Sequence, residues 1–159
     1  MENILGNIYC LFQSLFGSEL RDHLWGYVCG DGGFGNANVF NQIGGIMILV
    51  SLVVAVIYYY VINSPRFYKW SHWLVMLLIN ALINFGIAAY WTITDLLNGS
   101  IQGCLMYLRD TDGNVLEVLI TNTHCYGFAA TNAIISVAVF FIWSMLIKWG
   151  SSTAKYSPF

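Results

Sequence analysis

The chain has 159 residues, of which 58% are hydrophobic and 9% charged, and its formal net charge is −2 at pH 7. A soluble domain carries about a quarter charged residues, so these charges are too few to solvate a globular surface and lipid is the missing solvent. The same balance excludes a nucleic-acid partner, because no basic patch exists to displace phosphate counterions.

The pattern predicts an all-α membrane protein with three transmembrane helices, amino-terminal interfacial or amphipathic helices, and an outward loop holding a candidate β-hairpin. Its divisions are an amino-terminal stretch 1–42, apolar runs 43–62, 73–92 and 127–147, polar stretches 63–72 and 93–126, and a tail 148–159. Residues 3–17 carry a helical period. Ile4, Leu5, Ile8, Tyr9, Leu11, Phe12, Leu15 and Phe16 form a broad apolar face. Asn3, Gly6, Asn7, Cys10, Gln13, Ser14 and Gly17 form an uncharged polar strip opposite it. Such a segment suits the outer headgroup plane or packing in a bundle; the other reading turns its polar strip to a water-filled vestibule. Ser18 is placed to cap a second short helix, with Glu19 and Asp22 near its positive end and Gly30 as its stop. The Gly-rich run from Gly30 to Asn36 reads as a loop and lacks the flanking strand and Lys-Ser/Thr of a phosphate-binding loop. The amino terminus shows no basic region and no Ala-x-Ala-like site, so a cleavable signal peptide is not expected.

The first apolar run, Ile43–Ile62, is interrupted by Ser51. About 20 residues at 1.5 Å each cover the ~30 Å hydrocarbon core. Asn63-Ser64-Pro65-Arg66 reads as a tight turn, because Pro65 ends helical continuation. The second run, Trp73–Trp91, is interrupted by Asn80 and Asn84; the third, Phe128–Ile147, by Thr131, Asn132, Ser136 and Ser144. Tyr58, Tyr59, Tyr60, Trp70, Trp73, Tyr90, Trp91, Trp143 and Trp149 sit near the ends of these runs, where aromatic rings favour the membrane interface.

Charge sorts strictly between the polar stretches. Residues 63–72 and 148–159 carry Arg66, Lys69, Lys148 and Lys155 and no acid. Glu2, Glu19, Asp22, Asp31, Asp95, Asp110, Asp112 and Glu117 all lie in 1–42 and 93–126, opposed by Arg21 and Arg109. Basic residues of short loops stay cytoplasmic. The expected placement is therefore a plasma (cytoplasmic or inner) membrane, with the amino terminus outside and the carboxyl terminus in the cytoplasm.

In the stretch 93–126, Leu105–Thr111 and Asn114–Ile120 flank Asp112-Gly113, a favoured two-residue hairpin turn. A short helix from Ser100 to Leu108 is the competing reading. All four cysteines, Cys10, Cys29, Cys104 and Cys125, fall outside, where disulfides persist. Cys10–Cys29 with Cys104–Cys125 is the favoured connectivity, against crossed pairs or free thiols. Pairing about Asp112-Gly113 sets Cys104 opposite Thr121, so the second bridge requires a bulge or frayed end. His23, His72 and His124 are scattered and suggest no metal site. Hydrolase motifs are missing, and neither an enzyme nor a cofactor is expected.

Asn80 and Asn84 stand four apart and share a helix face. Amides in hydrocarbon require partners. They, with Thr131, Asn132 and Ser136, serve either as interhelical hydrogen-bonding groups or as a neutral polar pore lining. In the pore reading Asp95 lies at the outer mouth and favours cations. Three spans enclose too little space for a pathway in one chain, so a homo-oligomer with a channel or pore between subunits is expected. The alternative is a noncatalytic anchor or scaffold subunit of a larger envelope or effector complex, with other membrane or envelope proteins as partners. A third reading follows from the four outward cysteines on a small multipass protein. In this they resemble the quinone-linked thiol oxidases that recharge periplasmic disulfide catalysts, which implies thiol–disulfide exchange. Those enzymes use a Cys-x-x-Cys pair and four spans, whereas here Cys10 and Cys29 are nineteen residues apart and three spans are visible.

Overall fold

The computed structural model describes residues 4–30, 33–35, 38–61 and 70–148. The expected turn at Asn63-Ser64-Pro65-Arg66 and the tail from Trp149 onward lie outside these residues. In chain order the elements are α1 (Ile4–Cys10), a 3-10 turn (Gln13–Leu15), α2 (Ser18–Trp25), β1 (Tyr27–Val28), β2 (Gly33–Phe34) and α3 (Val39–Val56). A π-helical turn (Ile57–Val61) continues α3, followed by α4 (Trp70–Leu97), α5 (Gly103–Met106), β3 (Tyr107–Arg109), β4 (Val115–Val118) and α6 (Asn122–Ile147). The chain forms two compact units, Met1–Gly44 with Gly86–Thr131, and Gly45–Phe85 with Asn132–Phe159.

Among the described residues, three helices are long and apolar enough to cross a membrane: Val39–Val61 with 23 residues, Trp70–Leu97 with 28 and Asn122–Ile147 with 26. Each reaches beyond its apolar run at an end where a cap or a left-handed glycine is found. Asn38 Oδ1 accepts the Asn41 N–H at 3.2 Å and so caps α3. At the start of α6, Thr121 N–H donates to His124 Nδ1 at 3.2 Å while the Thr121 carbonyl accepts the His124 N–H at 3.0 Å, a reciprocal cap. Nδ1 is thereby the acceptor, and the neutral ring carries its proton on Nε2. Helix α4 ends where Gly99 turns left-handed (φ 68°) and the Ser100 N–H reaches back to the Asp95 carbonyl at 3.0 Å. Asp95 therefore lies on the last turns of α4 rather than in the following loop.

The first unit is built around rings. Tyr9, Phe16, Phe40 and Phe128 are fully buried. Tyr9 lies 5.3 Å from both Phe40 and Phe128, and Phe16 lies 5.5 Å from Phe128. Aromatic pairs at such distances contribute about 0.5–1.5 kcal/mol beyond the area they bury. Close backbone approach makes this packing feasible: a Cβ at Gly127 of α6 would run into the Leu15 carbonyl. Burial pushes the Tyr9 phenol well above its usual range. Helix α2 is preceded by Gly17 at the cap position and ended by Gly26 in the left-handed region. Ser18 is thus its first residue, with its hydroxyl on Glu19 Oε1 at 2.7 Å, and the stop falls earlier than Gly30. That hydroxyl holds the Glu19 carboxyl below its usual range, with burial opposing. The Gly-rich stretch is not a plain loop, since Tyr27 pairs with Phe34 and Val28 with Gly33.

The hairpin is present. Tyr107 pairs with Val118 and Leu108 with Glu117, the register expected from a centre at Asp112-Gly113. The turn itself is wider than two residues. The Gly113 N–H bonds to the Asp110 carbonyl at 2.9 Å, the Asp110 N–H bonds to the Asn114 carbonyl at 3.0 Å, and a bulge lies between Leu108 and Arg109. The competing short helix survives as α5, which feeds directly into β3.

In the second unit, Val54, Ala55, Tyr58, Tyr59, Trp73 and Phe140 form a buried cluster. Tyr58, Tyr59 and Trp73 are buried in this cluster, whereas Tyr60 and Trp70 are exposed. Exposed aliphatic side chains follow helical spacing on each helix: Leu49 and Val53 on α3, Val75, Ile79 and Leu82 on α4, Ile134 and Ile142 on α6.

Gly127→Ala should lower the thermal midpoint in detergent, at a cost of about 1–3 kcal/mol for overpacking. Gly86→Ala meets nothing within 4 Å. It should leave the midpoint unchanged or raise it, since Ala gains up to ~1 kcal/mol over Gly in a helix.

Candidate functional site

Asn80, Asn84, Thr131, Asn132 and Ser136 are all 0% exposed. Asn80 Nδ2 donates to the Ser136 carbonyl at 3.1 Å, and Asn132 Nδ2 donates to the Asn84 carbonyl at 2.9 Å. The partner on α6 moves back four residues as the position on α4 moves forward four, so the two helices run antiparallel with their polar groups in step. Along α4, Asn84 Nδ2 donates to the Asn80 carbonyl at 3.0 Å and to Asn80 Oδ1 at 3.2 Å. Together these bonds form a ladder of neutral amides.

The hydroxyls nearby are spent on their own helices. Ser136 Oγ donates to the Ala133 carbonyl at 2.8 Å, and Thr131 Oγ1 donates to the Gly127 carbonyl at 3.0 Å. Asn84 Oδ1 and Ser51 Oγ are buried and have no hydrogen-bond partner among the described residues. Amides and hydroxyls of this kind hydrogen-bond but carry no charge and transfer no proton near neutrality. What the ladder can do is hold α4 and α6 in one register.

The first unit holds the remaining candidates. Cys29 is disulfide-bonded to Cys104, 75 positions further along the chain, with Cα atoms 6.3 Å apart. Gln102 reinforces the same junction: its Oε1 accepts the Cys29 N–H at 2.6 Å, and its Nε2 donates to the Tyr27 carbonyl at 3.2 Å. This pairing replaces the expected Cys10–Cys29 and Cys104–Cys125 bridges. Cys104 lies in α5, before the hairpin ladder begins at Tyr107, while Cys125 is buried in the first turn of α6. Cys10 is held by α2, its sulfur accepting the Trp25 Nε1–H at 3.4 Å.

Asp95 Oδ2 lies 3.6 Å from His23 Nε2, so the acid expected at a mouth is part of the α2–α4 contact. Arg21 bonds Asp22 at 2.6 Å and Gln13 Oε1 at 2.9 Å. His124 serves the α6 cap. Among the described residues, no three His, Cys, Asp or Glu side chains gather as metal ligands. Gln102, Gly127 and the His23–Asp95 pair carry no motif that sequence could expose, since each acts through a partner distant in the chain. No family model, curated protein or solved structure matches the chain.

Asn80→Leu and Asn132→Leu should each destabilise the folded protein by about 1 kcal/mol in a bilayer or bicelle unfolding titration. Asn80→Leu combined with Asn84→Leu should be non-additive, because the two amides share bonds. Peptide mapping without reductant should recover Cys29 joined to Cys104, with Cys10 alkylated readily and Cys125 only after unfolding.

Proposed function

We propose that the protein is a noncatalytic multi-pass subunit of the plasma (cytoplasmic or inner) membrane, amino terminus outside, that scaffolds a larger assembly through its outward unit. The sorted charges support this orientation. The observation that carries the scaffold reading is the enclosure of the polar ladder. A pore between copies needs its lining side chains to face the space between those copies, yet Asn80, Asn84, Thr131, Asn132 and Ser136 have no accessible surface even in the single chain. Their donors are already used on helix carbonyls and on one another.

The outward unit offers a place for a partner. Leu108 on β3 and Val115, Leu116 and Val118 on β4 are exposed on a two-stranded ladder. Such a hairpin is marginal alone, and its open edges favour pairing with another chain. The contact is with another membrane or envelope protein, while the spans supply the anchor.

Extraction in mild detergent followed by native electrophoresis and composition analysis tests this. The wild type should migrate in a heteromeric assembly. Leu116→Arg with Val118→Arg should release it at unchanged thermal stability. A homo-oligomer alone, carrying current in planar bilayers that Asn84→Leu alters, would establish the channel instead.

A further inference from the structure

We propose that Ile4, Ile8, Leu11 and Leu15 form a lipid-binding surface, a foot that seats the amino-terminal segment among the acyl chains of the outer leaflet. It rests on the membrane reading above and concerns the first unit alone.

The segment has three sides, and two are occupied within the protein. Part of its polar strip is covered by α2: a Cβ at Gly6 would lie 2.5 Å from the Trp25 ring, Cys10 accepts from Trp25, and Gln13 accepts from Arg21. Gly6, Cys10 and Gln13 of the polar strip are thereby occupied, while Asn7 and Ser14 stay exposed. A second side lies on the spans, with Leu5 and Tyr9 against Gly44 of α3 and the Leu15 carbonyl against Gly127 of α6. The apolar side chains that remain exposed are Ile4 (61%) and Ile8 (37%) on α1, Leu11 (79%) in the turn after it and Leu15 (48%) at the end of the 3-10 turn.

Depth selects lipid as the occupant. Gly44 and Gly127 each lie five residues inward from the first residue of their helix, Val39 and Asn122. Five residues correspond to about 7.5 Å along the axis. The spans of 23, 28 and 26 residues measure roughly 35–42 Å and overhang the ~30 Å hydrocarbon core. The four side chains therefore meet the boundary between headgroups and acyl chains, where an interfacial helix buries its apolar face by about 5–10 Å. No charged residue occurs from position 3 to 18. Asn7 and Ser14 accompany them as exposed neutral groups at headgroup level. Binding is thus to acyl chains and independent of anionic headgroups.

Nitroxide labels at single sites test this in the full chain, with Cys10→Ser and Cys125→Ala and the Cys29–Cys104 bond retained. Leu11→Cys, Leu82→Cys and Leu116→Cys would be labelled and reconstituted in phosphatidylcholine vesicles. Power saturation would then compare oxygen with a water-soluble nickel chelate. The Leu11 site should favour oxygen several-fold, as should Leu82 as the control for a span, while Leu116 favours the chelate. Adding phosphatidylglycerol should change nothing at Leu11. Chelate access at Leu11 equal to that at Leu116, with Leu82 still in lipid, overturns the foot and leaves the membrane reading standing. Shielding of Leu11 from both reagents overturns it in favour of a covering protein chain. Chelate access at Leu82 overturns the membrane reading itself.

Discussion

A side-chain amide placed where water is scarce has to be answered by another polar group, and α4 and α6 answer theirs with each other. Asn132 bonds the Asn84 carbonyl, Asn84 bonds Asn80, and Asn80 bonds the Ser136 carbonyl. Sliding one helix by a single residue would carry these amides away from their carbonyls and leave them unpaired in an apolar surround. Desolvation without a partner costs about 1–3 kcal/mol per group, so the ladder selects one register out of many that greasy surfaces alone would allow. The cluster of Tyr58, Trp73 and Phe140 in the same unit then packs at the level this register dictates.

The first unit meets a different demand. Its helices are too short to be stable alone, so they are held by ring packing, glycine contacts and a disulfide. Phe40 and Phe128 sit in the first turns of α3 and α6, and Tyr9 and Phe16 bring the amino-terminal segment onto them. The Cys29–Cys104 bond and Gln102 tie the β1 region to the segment that leads into the hairpin. Beyond that junction the hairpin is exposed on β4 throughout, in contrast with the closed interior of both units. The scaffold role proposed above rests on that open edge.

Much of this was legible from residues. Run lengths and the scarcity of charge indicate three spans, Asn80 and Asn84 at four-residue spacing indicate a buried polar face, and the flanks of Asp112-Gly113 indicate the hairpin and its register. The disulfide was not legible, because the pairing of Cys29 with Cys104 depends on Gln102 bonding Tyr27 and Cys29, a contact no local pattern encodes. Tyr58, Tyr59 and Trp73 were ambiguous, since an aromatic near the end of a span reads the same whether it turns to a neighbour or to the boundary. Asp95 read as loop because Trp91 seemed to close the span, while the left-handed Gly99 sets the actual end of α4. Gly127 gave no signal at all, its meaning residing in the Leu15 carbonyl opposite it.

A ladder that is closed and structural keeps water from its amides. Hydrogen exchange of the side-chain amides in the wild-type protein, followed by NMR after transfer of the reconstituted bilayers to deuterium oxide, reads this out. The Asn80 and Asn132 amide signals should persist for hours, like the backbone amides of α4 and α6. Their loss within the time needed to record the first spectrum, while those backbone amides remain protected, would contradict a closed ladder and place water along it.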